Sequence, residues 1–299
     1  MGPMAKKFRM LILVSVSLIS GAFFAWPLSF RTISRPDLSE RLNHHCSQLS
    51  QNHSFSMSQK ALERNFIWDR TRGVAYCKIP KAGTTFWIQN FARFSGVPKT
   101  ILERLGQDEL HLLMKHVYRL PKILDTLDQV AILSQTYSFT FVRHPMIRLA
   151  STYQDKVLDA SDIKQYKGWS KLGSETGRPP SFGEFIDYIL SNSVESEDDL
   201  DTHIRPYWKQ CGFCSIKYDF IGKVENLDQD MKLLLAQIGL DSVIQSKQVH
   251  SSSGGSTDQL AQKYFRELNS SQKTRLYEMY RIDCHLVEYN CKQFLFTDD

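Results

Sequence analysis

The sequence predicts an α/β fold with a central parallel sheet flanked by helices. Three stretches carry that reading: Gly73–Gly96 (GVAYCKIPKAGTTFWIQNFARFSG), Ser138–Lys156 (SFTFVRHPMIRLASTYQDK) and Tyr218–Ile238, which opens YDFIGK. Each begins with a short apolar run suited to a buried strand, then turns into amphipathic helical spacing. The 299 residues, 42% hydrophobic, suffice for one large domain plus an appendage.

In the first stretch, Val74–Ile79 reads as a strand, Pro80–Thr84 as a tight loop and Thr85–Phe94 as a helix closed by Gly96. Trp87, Phe91 and Phe94 recur at helical spacing and give that helix a core face. Strand, glycine loop and helix together make an anion site: loop amides and the helix N-terminus face the anion, and Lys81 adds a full charge. The lysine precedes Gly83, so this is no Walker A loop. An ordinary strand-to-helix turn is the bland alternative.

The second stretch supplies a partner site. Its strand ends at Val142, the chain breaks at Arg143-His144-Pro145, and the following helix buries Leu149, Ala150, Tyr153 and Val157. Arg143 at the strand's carboxyl end and Ser151 two helical turns later suit a second phosphate. Ligands collect at the carboxyl ends of parallel strands. Two separated anion sites there point to a nucleotide phosphorylated at two positions.

These residues resemble a known family. PKAGTT after a strand resembles the 5′-phosphosulfate loop of sulfotransferases, and Arg143 with Ser151 in RHPMIRLASTYQDK resembles their 3′-phosphate motif. Cys211–Leu227, CGFCSIKYDFIGKVENL, is similar to a segment of the Golgi carbohydrate sulfotransferases that act on chondroitin, dermatan and N-acetylgalactosamine-terminated glycans. The resemblance runs from about Trp68 to Tyr289. It departs at Thr84-Thr85, where Cys-Ser is frequent in the family, and at His144, where an acidic residue is frequent.

The resemblance implies a P-loop-like sulfotransferase fold. It implies transfer of a sulfuryl group from 3′-phosphoadenosine 5′-phosphosulfate (PAPS) to a sugar hydroxyl of an acidic or N-acetylgalactosamine-containing glycan. Lys81, Ala82, Gly83, Thr84 and Thr85 would hold the 5′ side, Lys81 also stabilising the leaving phosphate, while Arg143 and Ser151 would hold the 3′-phosphate. Asp201-Thr202-His203-Ile204-Arg205-Pro206 is similar to the family's segment before the paired cysteines. His203 is therefore the first candidate base, with Glu225 and His116 behind it; a structural hydrogen bond to Asp201 is the rival reading of His203. No metal is expected. A Golgi glycosyltransferase is the rival enzyme class; of the Asp-x-Asp metal motif common there, the chain offers Asp199-Leu200-Asp201, inside an acidic run that reads as exposed. A non-catalytic glycan-binding protein that keeps the fold is the third reading.

Before the predicted domain, residues 1–9 read as a cytosolic tail carrying Lys6, Lys7 and Arg9. Residues 10–30 read as a transmembrane signal anchor of about the ~20 apolar residues a bilayer requires. Residues 31–68 read as a polar stem and 69–299 as the lumenal domain of a single-pass type II Golgi membrane protein. A cleaved signal peptide is the alternative for the apolar run. Asn52 and Asn269 head glycosylation tripeptides, and His44 and His45 read as solvated stem residues rather than metal ligands. The net charge of +5 favours anionic partners, yet no basic repeat, zinc-ligand pattern or aromatic platform indicates nucleic acid.

Val97–Gln135 reads as helical, with Leu102, Leu105, Leu110, Leu113 and Val117 as core candidates. Asp159–Pro180 reads as a loop whose Lys164, Lys167, Lys171 and Arg178 are either glycan contacts or solvated. Ser251–Thr257 reads as a loop, in the position of one that covers the nucleotide in sulfotransferases. Gln272–Tyr289 reads as the closing helix. Six cysteines in a lumenal chain predict structural disulfides of open connectivity, with Cys77, buried in its strand, a candidate free thiol.

Overall fold

A computed structural model describes residues 38–50, 55–118, 126–158, 178–192, 200–241 and 254–296. The predicted anchor, Asn52, most of the Asp159–Pro180 loop and Ser251–Ser253 lie outside them. Among the described residues no helix is long and apolar enough to cross a membrane.

Four strands form one sheet in the order β1 (Phe66–Asp69), β2 (Val74–Cys77), β3 (Tyr137–Val142), β4 (Phe220–Lys223). β2, β3 and β4 are parallel, as expected; β1 adds an antiparallel edge, pairing Phe66 with Cys77 and Asp69 with Val74. The hairpin between β1 and β2 is local chemistry. Asp69 Oδ1 accepts the amides of Thr71 and Arg72 at 3.1 and 3.2 Å, and Gly73 closes the turn at φ +65°. β4 lies two residues later than Tyr218–Ile221 because its partners run from Phe139↔Phe220 to Val142↔Lys223. Tyr218 instead donates its hydroxyl to Cys211 O at 2.5 Å.

The period-2 alternation of each strand divides the core. Val74, Tyr76, Phe139, Phe141 and Phe220 face α3 (Thr84–Phe94), α5 (Gln107–Val117) and the helix Leu227–Gln237. Ala75, Cys77, Val142 and Ile221 face the opposite cluster with α1 (Leu38–Leu49) and α2 (Gln59–Asn65). Gly222, paired with Phe141, is required by closeness: a Cβ there would sit 2.3 Å from Phe141 Cε1. A third cluster joins α7 (Pro145–Tyr153) to the helices Phe182–Asn192, Gly254–Arg266 and Ser270–Leu286.

The predicted helical region Val97–Gln135 resolves into α4 (Lys99–Leu102), α5 and α6 (Thr126–Ser134). Leu110 is buried as expected, whereas Val117 is 49% exposed. Gly254–Arg266 is helical where the Ser251–Thr257 loop was expected to continue. Asn269 caps the helix Ser270–Leu286, its Oδ1 accepting Gln272 N at 3.0 Å.

Two expectations from the polar N-terminal region and the cysteines change. Within residues 31–68, α1 is no free stem: Leu38 and Leu42 are buried in the core, Arg41 pairs with Glu288 at 2.8 Å, and Cys46 is bonded to Cys214. The buried positions of α1 are few, so its apolar period was too short to register in the sequence. Cys77 is not free but bonded to Cys211, and Cys284 to Cys291. Cys211 and Cys214, spaced as a redox pair, thus each tie a different element.

Candidate functional site

The site is built on the carboxyl ends of β2 and β3. After β2 the chain makes a turn in which Ala82 N donates to Ile79 O at 3.1 Å. Lys81 and Gly83 take left-handed backbone angles, φ 67° and 83°. Gly83 is the residue before α3 and offers no side-chain cap, while an added Cβ would meet nothing within 4 Å. The first amides of a helix have no partner inside it, so an open cradle of donors stands at the start of α3. Ala82 is fully buried and contributes only backbone.

The two threonines differ. Thr84 donates its hydroxyl to Ile79 O at 2.5 Å, fixing the turn rather than facing outward. Thr85 is half-buried and its hydroxyl has no partner among the described residues. The sequence does not distinguish the two; the bond from Thr84 to Ile79 does.

Lys81 reaches across to the turn that ends α7, where its Nζ lies 3.0 Å from Asp155 Oδ2. Lys156 Nζ is 3.3 Å from the same oxygen. Burial holds the Lys81 ammonium below the ordinary lysine range; Asp155 opposes that, while Lys156 and Arg143 add to it. Burial would raise the Asp155 carboxyl, but its bond to Lys81 and the two lysine charges hold it below the ordinary range. One carboxylate therefore sits between two lysines.

Arg143 follows β3 directly. Its carbonyl accepts the Tyr207 hydroxyl at 2.6 Å, while its guanidinium has no hydrogen-bonded partner among the described residues. Arg143 lies close enough to Lys81 and to Asp258, on the helix Gly254–Arg266, to shift both electrostatically. Ser151 is half-buried on α7, its hydroxyl without a partner among the described residues. Adjacent parallel strands thus bring Lys81 and Arg143 near one another.

The other candidates are placed differently. His203 Nδ1 lies 2.7 Å from Asp201 Oδ1, which also accepts the His203 amide at 2.8 Å. Glu225 has both oxygens engaged, one by His144 N at 2.8 Å and the other by the Tyr289 hydroxyl at 2.6 Å. His116 is exposed in the last turn of α5. Arg178 forms a fork with Glu184 at 2.7 and 2.8 Å.

Arg148 was missed, although it stands within the second motif. It is 1% exposed. Its guanidinium donates to Pro80 O at 3.2 Å, Arg205 O at 2.9 Å and Thr202 O at 2.7 Å, and lies over the Tyr207 ring. One side chain on α7 thereby fastens the loop of Lys81 to the turn that carries His203. Its place inside the second motif, beside the buried-face residue Leu149, is the signal the sequence offered. Among the described residues no group of three or more His, Cys, Asp or Glu side chains is placed to hold a metal.

A family model described as the sulfotransferase family matches residues 64–290. Carbohydrate sulfotransferase 8 of Homo sapiens is 29% identical over 252 residues, covering 79% of this chain and 57% of the relative. Carbohydrate sulfotransferase 9 of Homo sapiens is 28% identical over 245 residues, covering 76% and 53%. Carbohydrate sulfotransferase 11 of Danio rerio is 27% identical over 251 residues, covering 78% and 69%. The chain thus spans little more than half the length of the first two. No solved structure matches it.

Proposed function

This chain belongs to the sulfotransferase family, and we propose that it is a carbohydrate sulfotransferase moving a sulfuryl group from PAPS to a sugar hydroxyl, on an N-acetylgalactosamine-containing glycan such as chondroitin or dermatan. One observation carries the reading. Two anion-ready points, the Lys81–Gly83 cradle and the Arg143–Ser151 pair, stand on neighbouring strand ends, and at the second the cation and the hydroxyl have no partners among the described residues.

The residues fit the donor. Open space at Gly83 and the free amides at the start of α3 suit the 5′ side; the Arg143 fork and the Ser151 hydroxyl suit the 3′-phosphate. PAPS supplies a sulfuryl group attached to a phosphate leaving group. In the transfer the bond from sulfur to that phosphate breaks, a bond from sulfur to the sugar oxygen forms, and the hydroxyl proton passes to a base. Lys81 and the α3 amides stabilise charge gathering on the leaving oxygen. Arg143 and Ser151 fix alignment, which is where a large share of such a barrier is met.

His203 is the base this reading favours. Asp201 Oδ1, 2.7 Å from His203 Nδ1, orients the ring and suits a histidine that takes up a proton. Glu225 is less suited because both oxygens already accept hydrogen bonds. We place the enzyme at the Golgi membrane with its catalytic domain lumenal; three disulfides among the described residues agree with an oxidising compartment.

The test is transfer of label from radioactive PAPS to a panel of desulfated chondroitin, dermatan, heparan and N-acetylgalactosamine-capped glycans. Label on one acceptor, lost in Lys81→Ala, supports the reading. A folded protein that binds no donor overturns it.

A further inference from the structure

A second group of cations stands at the root of the Lys81 loop, outside the donor residues. Lys78 is the first residue after β2, and its amide donates to Asn65 O at 2.8 Å, which pins it beside the last turn of α2 and Arg64. The last turn of α5 closes on the same edge of the sheet, Tyr118 O accepting Trp68 N at 2.8 Å, and carries Lys115. Lys78 is half-buried whereas Arg64 and Lys115 are exposed. None of the three is ion-paired among the described residues. Burial, then repulsion by Lys115 and Arg64, pulls the Lys78 ammonium down to about 8.

A half-buried ammonium whose charged neighbours are two further cations is a costly arrangement for a fold to keep without a counter-charge. Lys78 stands at the carboxyl end of β2, three residues before Lys81, on the strand end that carries the loop read as the donor site. The donor's phosphates already have the Gly83 cradle, Arg143 and Ser151. What is left to meet Lys78 is the acceptor.

We propose that Lys78, Arg64 and Lys115 form an acceptor subsite for an anionic substituent, a uronate carboxylate or a sulfate ester, on a sugar next to the one that is modified. The substrate class is then an acidic glycan rather than a neutral chain. This rests on the sulfotransferase reading for its placement but not for its test.

The test is equilibrium binding of fluorescent oligosaccharides to the full chain. The probes are a desulfated chondroitin hexasaccharide (uronate only), a 6-O-sulfated lactosamine hexasaccharide (sulfate only) and a neutral N-acetylgalactosamine-capped oligosaccharide. Affinity for adenosine 3′,5′-bisphosphate serves as a separate readout of the donor site. Lys115→Glu, on the surface, and Lys78→Met are each expected to weaken an anionic probe about 5- to 10-fold. They should leave bisphosphate affinity and neutral-probe affinity unchanged, and the uronate and sulfate probes show which anion is taken. Equal affinity of wild type and both variants for the anionic probes overturns the subsite, as does a neutral probe bound as tightly as the anionic ones. Lysine-dependent glycan binding by a folded chain that binds no bisphosphate supports the subsite and overturns the sulfotransferase reading.

Discussion

Lys81 and Asp155, separated in the chain by helices α3 to α6, strand β3 and helix α7, meet at 3.0 Å, so the lysine that follows β2 is held by a carboxylate from the helical turn Gln154–Leu158 that continues α7. An incoming phosphate must compete with that carboxylate. Asp155→Asn should therefore tighten binding of adenosine 3′,5′-bisphosphate a few-fold, because the anion enters a field one negative charge poorer. Calorimetric titration decides it: unchanged or weaker affinity would show that Asp155 positions Lys81 instead.

Lys81 and Arg143 should separate in kinetics. Lys81→Ala is expected to lower kcat about 10²- to 10³-fold with a smaller change in donor affinity. Arg143→Ala should weaken donor binding about tenfold or more. It should leave the melting temperature unchanged, since its guanidinium carries no hydrogen bond among the described residues. Full activity in both variants would sink the two-site donor model.

Arg148 is the opposite case. Its buried guanidinium satisfies carbonyls on three segments, so Arg148→Ala leaves them unpaired and should cost about 3–5 kcal/mol of stability. Arg148→Lys should rescue little, because one ammonium cannot reproduce the fork. Urea unfolding of the three proteins measures this, and a loss below about 1 kcal/mol would show that the loop and the His203 turn hold together without Arg148.

His144 gives the fold an acid dependence. Its ring packs against Phe294 and Tyr289, and its Nδ1 accepts Met146 N at 3.3 Å. Burial, with a further push from Lys223 and against a backbone bond at Asn290, lowers its pKa from 6.5 to about 4. Folding thus favours the neutral ring. The contribution is complete above about pH 6.5 and is lost as pH falls towards 4, by up to about 3 kcal/mol. His144→Asn, which keeps an N-cap acceptor, should flatten this part of the stability profile between pH 6.5 and 4. Superimposable profiles for the two proteins would rule His144 out as the cause.

The disulfides should not be equivalent. Cys77–Cys211 closes a separation of 134 residues and Cys284–Cys291 one of 7. On the chain-entropy argument they contribute about 5 and about 2 kcal/mol. Replacing both Cys77 and Cys211 with alanine should lower the melting temperature more than the same change at Cys284 and Cys291. The reverse order would mean that local packing, not chain restriction, dominates.

Much of the local structure around the candidate site was legible because near neighbours set it. Strand, turn and helix around Lys81 and Gly83 lie within about twenty consecutive residues, and so do Arg143, His144 and Ser151. Propensity, hydrophobic period and turn chemistry all act over that range. The parallel order of β2 and β3 follows from two such units side by side. β1 escaped because a four-residue edge strand carries too little pattern, and α1 escaped because only Leu38, Ser39 and Leu42 of its twelve residues are buried.

The sequence by itself therefore determined the α/β class and the strand–turn–helix units that carry Lys81 and Arg143. Tertiary structure alone decided which groups are spent and which are left for a ligand. Thr84 is used by Ile79 and Glu225 by His144 and Tyr289, whereas Thr85, Arg143 and Ser151 are unspent. It also decided that Cys77 meets Cys211, that Asp155 meets Lys81, and that Arg148 ties the loop to the His203 turn. The physical reason is one of range. A residue's own chemistry and its near neighbours are written in order along the chain, but its partner depends on where distant segments return once the sheet has formed and the core has closed.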